Sequence, residues 1–106
     1  MATREEVGIF LEELRVKIKI FGILFLDYRD KNQQTLLDLE IMPNSRKGII
    51  ASLKVEDYSQ GPIEEKERGI KPMWIFGKTI KQKEVYIKIS LGLENSNAIC
   101  ISFHIA

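Results

Sequence analysis

Apolar and polar side chains alternate strictly in residues 84–90 and again in residues 99–104. Successive side chains of a β-strand point to opposite faces, so this pattern predicts two strands, each with one apolar and one polar face. The polar residues 94–97 between them are typical of a hairpin connection. Whatever else the chain forms must therefore cover the apolar face of this hairpin.

The pairing of the two strands is restricted by the same alternation. A slip of one residue would place apolar side chains opposite polar ones, so only shifts of two residues are compatible with it. One such register places Tyr86 directly opposite His104, and the other places Lys88 opposite His104. Both gather a phenol, an ammonium and an imidazole on the polar face, on which Cys100 is also predicted to lie.

Length and composition indicate a small globular protein. A chain of 106 residues is the size of one domain with one core, so we predict a single domain over residues 1–106. No apolar run approaches the roughly 20 residues of a membrane span, and residues 3–6 do not resemble the start of a secretory signal. The lone Cys100 cannot form an internal disulfide. We therefore expect a cytoplasmic protein without a membrane partner.

The first residues predict a helix. Thr3 and Glu6 have the spacing of a capping box, and Gly22 is a plausible stop. Residues at three- and four-residue intervals form one apolar stripe between them: Val7, Phe10, Leu11, Leu14 and Ile18. Residues 23–27 then have the composition of a short strand.

The middle of the chain gives weaker patterns. Residues 33–41 fit a helix or a strand, because so short a segment does not establish a period. Ser45 is predicted to cap a short helix, residues 57–71 to form a long surface loop, and residues 73–76 to form a strand. With the hairpin, that strand would make a meander. The expected fold is α+β, with helices on one face of a small antiparallel sheet and the other face open.

The chemistry of the polar face indicates acid and base catalysis. The sequence contains no Gly-rich phosphate loop, no CxxC, no paired-histidine spacing and no serine elbow, so we predict no cofactor and no metal. Tyr86, Lys88 and His104 suit RNA, whose 2′-hydroxyl is a nucleophile built into the substrate. DNA lacks that hydroxyl and is not an expected substrate.

Each of these residues also has an ordinary structural interpretation. A tyrosine favours strands for packing, a lysine on a strand face serves solubility, and a histidine is often merely exposed. Cys100 is more typical of a small buried residue than of a nucleophile. Trp74 suits the core or its rim better than a base-stacking platform.

The hairpin resembles a known family. Residues 85–90 (VYIKIS) and 99–103 (ICISF) are similar to the V-Y-L-K-I-T and L-I-V-S-F strands of the MqsR family of bacterial type II toxins. Leu53-x-x-x-Asp57-Tyr58 resembles its L-x-x-x-D-F segment, and Trp74 lies where the family has an isolated strand tryptophan. The resemblance covers the C-terminal half, while the N-terminal half matches in its order of elements and favours a helix over residues 33–40.

The resemblance implies a RelE-like fold and a ribosome-independent mRNA interferase restrained by a cognate antitoxin. Of the family's cleavage residues, the tyrosine falls at Tyr86, whereas the two lysines fall at Gln60 and His104 and the glutamine falls at Ile75. The resulting hypothesis assigns acid and base roles to Tyr86 and His104 and substrate orientation to Gln60. The expected RNA-binding residues are Lys88, Arg68, Lys71 and Trp74.

Two other functions stay open on sequence grounds. The replaced family positions favour a toxin-like module that has lost catalysis and binds RNA or an antitoxin. A structural α+β domain whose sheet face pairs with another protein is the third interpretation, and it would show no RNA affinity.

Overall fold

A computed structural model describes residues 1–27 and 30–106, which form three helices and five strands. The elements are α1 (Arg4–Phe21), β1 (Ile23–Phe25), α2 (Asp30–Leu39), α3 (Ser45–Ala51), β2 (Tyr58–Ile63), β3 (Met73–Ile80), β4 (Lys83–Ser90) and β5 (Ala98–Ile105). The strand order is β1-β5-β4-β3-β2. The fold is α+β as predicted, but the sheet is mixed rather than antiparallel, because β1 runs parallel to β5. None of the helices in the described ranges is long and apolar enough to cross a membrane.

Helix α1 begins and ends where the sequence predicts. The Thr3 hydroxyl accepts a hydrogen bond from the Glu6 N–H (3.1 Å), and the Glu6 carboxylate accepts one from the Thr3 N–H (2.8 Å). This confirms the capping box. At the other end Gly22 has a φ of +83°, which glycine adopts without strain, and its N–H donates to the Ile18 carbonyl.

The apolar stripe of α1 packs against one face of the sheet, here called the α1 face. The Phe10 ring stacks on the Trp74 ring with centroids 4.5 Å apart, and Phe76 lies beyond it. Buried strand residues complete the core of this face: Val85, Ile87, Ile89, Ala98, Cys100 and Phe103. The predicted helix layer on one side of the sheet is confirmed.

Helix α2 settles the ambiguity of residues 33–41 in favour of a helix as far as Leu39, and it closes one edge of the sheet. Strand β1 is so short that it pairs only with the first part of β5. Farther along β5, buried Asn32 bonds the backbone of Ile101 and Phe103, and the Thr35 hydroxyl accepts from the Ile105 N–H. Side chains of α2 thus take the place of strand partners.

Two predictions for the middle of the chain need correction. Helix α3 has Asn44, not Ser45, at its N-cap position, and no side chain caps it. The predicted loop 57–71 is a strand over its first part, because β2 pairs with β3 from Tyr58 onward. Gly61 and Pro62 suggested a loop, but an edge strand with shifted register tolerates a proline that lacks an N–H.

The hairpin adopts the first of the two predicted registers and then departs from it. Tyr86 pairs with His104, and Lys88 with Ser102, but the next pair is Ile89 with Cys100. Residue 101 is therefore an extra residue, a β-bulge. The bulge turns Cys100 onto the α1 face, where it is 1% exposed, so its predicted place on the polar face with His104 is wrong.

Candidate functional site

Three polar side chains converge on the face of the sheet away from α1, here called the second face. The Tyr86 and His104 rings stack with centroids 5.0 Å apart and planes inclined by 18°. The Lys88 ammonium lies 5.9 Å from the centroid of the Tyr86 ring. This is the convergence that the alternation predicts, and it results from direct pairing of Tyr86 with His104 across β4 and β5.

The hydrogen bond of His104 determines which ring nitrogen carries a proton in the neutral imidazole. Nδ1 lies 3.1 Å from the carbonyl oxygen of Ile105. A carbonyl only accepts, so the bond requires the proton on Nδ1. Nε2 of the neutral ring then has a lone pair and can take a proton from a bound molecule.

A groove extends the site from His104 toward α2. It has a volume of about 600 Å³ and lies between the end of β5 and the α2 side chains Lys31, Gln34 and Asp38. Sequence reasoning did not place these residues at the site, because the helix that carries them, which begins at Asp30, was not predicted with certainty. The groove gives an extended ligand room beside the stacked rings.

A carboxylate lies next to Tyr86 on the side opposite His104. Gly77 pairs with Tyr86, and a Cβ at position 77 would lie 2.8 Å from Oε1 of Glu84. The Thr79 hydroxyl donates to the other carboxylate oxygen (3.0 Å) and so holds Glu84 over Gly77. Sequence reasoning missed Glu84, although its position two residues before Tyr86 places both on one strand face.

The segment 64–68 borders the site beyond Lys88. Buried Glu65 accepts hydrogen bonds from the Arg68 N–H (2.6 Å) and from its guanidinium (3.0 Å). The backbone hydrogen bond, followed by that of the guanidinium, holds the pKa of the Glu65 carboxyl below its usual range. Glu65 thereby fixes Arg68 in the segment that lines a shallow pocket with Lys88.

The second face is consequently not left open as predicted. The segment 64–68, Met73 and Lys88 surround Ile101, which the bulge has turned onto this face and which is buried. Within residues 1–27 and 30–106, no carboxylate forms an ion pair with Lys88. Its ammonium shares the pocket with the side chains of Glu64, Glu65 and Glu67 without an ion pair to any of them.

The remaining predicted site residues lie farther away. Gln60 is exposed on β2 and pairs with Ile75, which in turn pairs with Lys88, so Gln60 is two strands from Lys88. Trp74 lies on the α1 face, and the Lys71 ammonium pairs with Glu94. The structure therefore does not bring Trp74 or Lys71 to the second face.

Cys100 should be unreactive in the folded protein. Burial raises the pKa of its thiol from 9.0 to about 12, so the nucleophilic thiolate is scarce at neutral pH. We expect a thiol reagent at pH 8 to label Cys100 only after unfolding by denaturant, and rapid labelling of the native protein would contradict this burial.

Because the thiol of Cys100 ionises at lower pH in the unfolded chain than in the folded protein, the folded state should lose stability as pH rises from about 9 toward 12.

A scan against protein-family models, a search of curated proteins and a search of solved structures found no match. Across the described ranges, no three His, Cys, Asp or Glu side chains are grouped to hold a metal ion. The fold and the site define a small α+β protein with a phenol, an imidazole, an ammonium and a carboxylate on one sheet face. We refer to Tyr86, Lys88, His104 and Glu84 together as the polar strip.

Proposed function

We propose that this protein is an endoribonuclease of the type II toxin class that cleaves single-stranded RNA without a metal ion. The stacked Tyr86–His104 pair, with Lys88 beside it, is the observation that carries the proposal. It supplies a base, an acid and a cation on one sheet face, and RNA supplies the nucleophile. The resemblance of residues 85–90 and 99–103 to the MqsR strands supports the toxin class and a RelE-like fold.

The proposed reaction is transesterification at phosphorus. His104 Nε2 removes the proton of the 2′-hydroxyl, and O2′ forms a bond to phosphorus while the bond to O5′ breaks. The Tyr86 phenol donates its proton to the leaving O5′, and Lys88 balances the charge that develops on the phosphoryl oxygens. The products are a 2′,3′-cyclic phosphate and a 5′-hydroxyl.

Other residues of the second face would position the RNA. The groove between His104 and α2 can hold the nucleotides on one side of the scissile phosphate, with Lys31 near a backbone phosphate. On the other side, the segment 64–68 places Arg68 beside Lys88. Gln60 is far enough away to contact a neighbouring nucleotide only, so its orienting role is assigned to the flank of the substrate.

The test is cleavage of a single-stranded RNA by purified protein in the presence of a chelator. We expect products that end in a 2′,3′-cyclic phosphate. An RNA with one 2′-deoxynucleotide at the cut site, and DNA of the same sequence, should remain intact, since each lacks the nucleophile. Cutting at the deoxy position would rule out attack by the 2′-hydroxyl.

Substituting Gly77 should test the contribution of Glu84. The Cβ of Gly77→Ala would displace the carboxylate, which we propose accepts a hydrogen bond from a ribose hydroxyl, and KM should rise several-fold with kcat nearly unchanged. Gly48→Ala is the matched control, because a Cβ at position 48 meets nothing within 4 Å. Equal KM values for both variants would show that Glu84 does not contribute to substrate binding.

One observation favours the alternative of a toxin-like binding module. Ile75 occupies the position of the family's glutamine and is 4% exposed, so it offers the substrate no polar group. Such a module would bind RNA or a cognate antitoxin in the cytoplasm without cutting RNA. Induced expression distinguishes the two, because an active nuclease should arrest growth unless the antitoxin is co-expressed, and an inactive binder should not.

A further inference from the structure

Helix α1 has a second apolar stripe, at exposed positions outside the stripe that packs on the sheet. Ile9, Val16 and Ile20 are 50%, 57% and 66% exposed. With Glu13 they follow the spacing 9-13-16-20, the alternation of four and three residues by which one helix packs along another. A helix that already buries one stripe thus presents a second one to solvent.

Charges along this outer side are segregated by sign. The acidic residues Glu5, Glu6, Glu12 and Glu13 precede Val16, whereas the basic residues Lys17 and Lys19 follow it. Arg4 and Arg15 also precede Val16, but their side chains are directed to Glu56 and to the carbonyls of Ala51 and Leu53 of the same chain. Two such helices packed in parallel would place like charges together. Packed antiparallel, each acidic half would face a basic half.

We propose that two copies of this chain associate through their α1 helices, antiparallel and related by a two-fold axis. One antiparallel register brings the two ends of the stripe together and sets Glu12 opposite Lys19, and it also places the Glu13 side chains of both copies near the two-fold axis. Ile9 packs against Ile20 of the second copy, and Glu13 lies beside Val16 of the second copy. The two-fold axis repeats each contact, as an isologous interface requires.

In this register Glu12 faces Lys19 of the second copy, and the axis gives a second, identical pair. Among the described residues, neither Glu12 nor Lys19 forms an ion pair within its own chain. Lys17 differs, since its ammonium donates to the Leu93 carbonyl. Lys19 is thus the cation at the correct place on the helix to complement Glu12.

The sheet separates this interface from the polar strip, because α1 packs on the α1 face. Association through α1 therefore leaves the second face accessible. The proposal does not depend on RNA cleavage, and variants of the outer stripe should cut RNA at the wild-type rate if the chain is a nuclease.

The first test measures the mass of the full chain in solution over a wide range of protein concentration. We expect it to rise from the monomer mass of 12.2 kDa toward twice that value. Val16→Asp and Ile20→Asp should keep the protein monomeric, with circular dichroism checking that the helix remains. The control Leu37→Asp alters a side chain on α2 that is 72% exposed, and it should dimerise normally.

The second test reverses the flanking charges. Glu12→Lys alone and Lys19→Glu alone each create two repulsive pairs, and each should weaken association about fivefold, as expected of ion pairs at an interface rim. The double variant Glu12→Lys/Lys19→Glu restores unlike pairs and should recover most of that loss. A wild-type protein that stays monomeric, a Val16→Asp variant that still dimerises, or a double variant as weak as the single ones would each overturn the proposal.

Discussion

If the chain cleaves RNA as proposed, replacing His104 with alanine is expected to slow cleavage about 10²- to 10³-fold, because the variant lacks the proposed base for the 2′-hydroxyl proton. Initial rates on one defined RNA would measure the loss. His104→Gln should be equally slow, since an amide forms hydrogen bonds but does not accept the proton. A rate near that of wild type for either variant would show that the base is elsewhere.

The phenol can be examined separately from the aromatic ring. Tyr86→Phe keeps the ring that stacks on His104 but removes the proton for the leaving oxygen, and it should reduce kcat about 10²-fold with little change in thermal stability. An RNA analogue with a better leaving group at the cut position should recover much of the rate, because it needs less protonation. Recovery in His104→Ala as well would indicate that the two residues do not have distinct roles.

Replacing Asn32 with alanine should lower the free energy of unfolding by about 3 kcal/mol. The Asn32 amide donates to the carbonyls of Leu26 and Ile101, at 3.1 and 3.2 Å, and accepts from the Phe103 N–H at 3.0 Å. Asn32 is 1% exposed, so water cannot easily replace these bonds. Equilibrium denaturation with urea would measure the change.

Two variants control for this interpretation. Gln34→Ala removes an exposed amide from the same helix, and its effect should stay within about 0.5 kcal/mol. Asn32→Asp keeps the acceptor for Phe103 but loses both donors, so it should be destabilised as well. If Asn32→Ala unfolds at the same urea concentration as Gln34→Ala, α2 does not stabilise the edge of β5.

Much of the fold could be predicted from the sequence where local signals agree with the global packing. The capping box at Thr3, the stripe of α1 and the stop at Gly22 all indicate one helix, and the structure confirms it. Strict alternation in residues 84–90 likewise fixes which side chains face the core. The direct pairing of Tyr86 with His104 was one of only two registers allowed.

Other features depend on contacts that a local pattern does not report. The bulge at Ile101 leaves the sequence alternation intact, yet it reverses the faces of the residues before it, because the segment 64–68 buries Ile101 on the second face. Residues 73–76 are apolar on both faces, so alternation could not show that Trp74 lies against Phe10. The helical state of Asn32 depends on strand β5, far along the chain.

The candidate site, too, could be predicted from the sequence only in part. Tyr86, Lys88 and His104 could be placed together from strand pairing alone, whereas the roles assigned to them come from the resemblance and from chemistry. Alternation alone places Glu84 on the same face as Tyr86, but the position of its carboxylate over Gly77 depends on the neighbouring strand. The groove between His104 and α2 could not be predicted, because the sequence did not establish that residues 33–41 begin within a helix.

The edges of the sheet limit how another chain can bind. At one edge, the register of β2 is shifted and its proline lacks an N–H donor. At the other edge, β1 has only three residues, and side chains of α2 form hydrogen bonds with the backbone of β5 beyond it. Little of either edge remains for an added strand from a partner or from an aggregating copy. A protein that binds this molecule would therefore have to contact one of its faces, by a helix or a loop, rather than add a strand to the sheet.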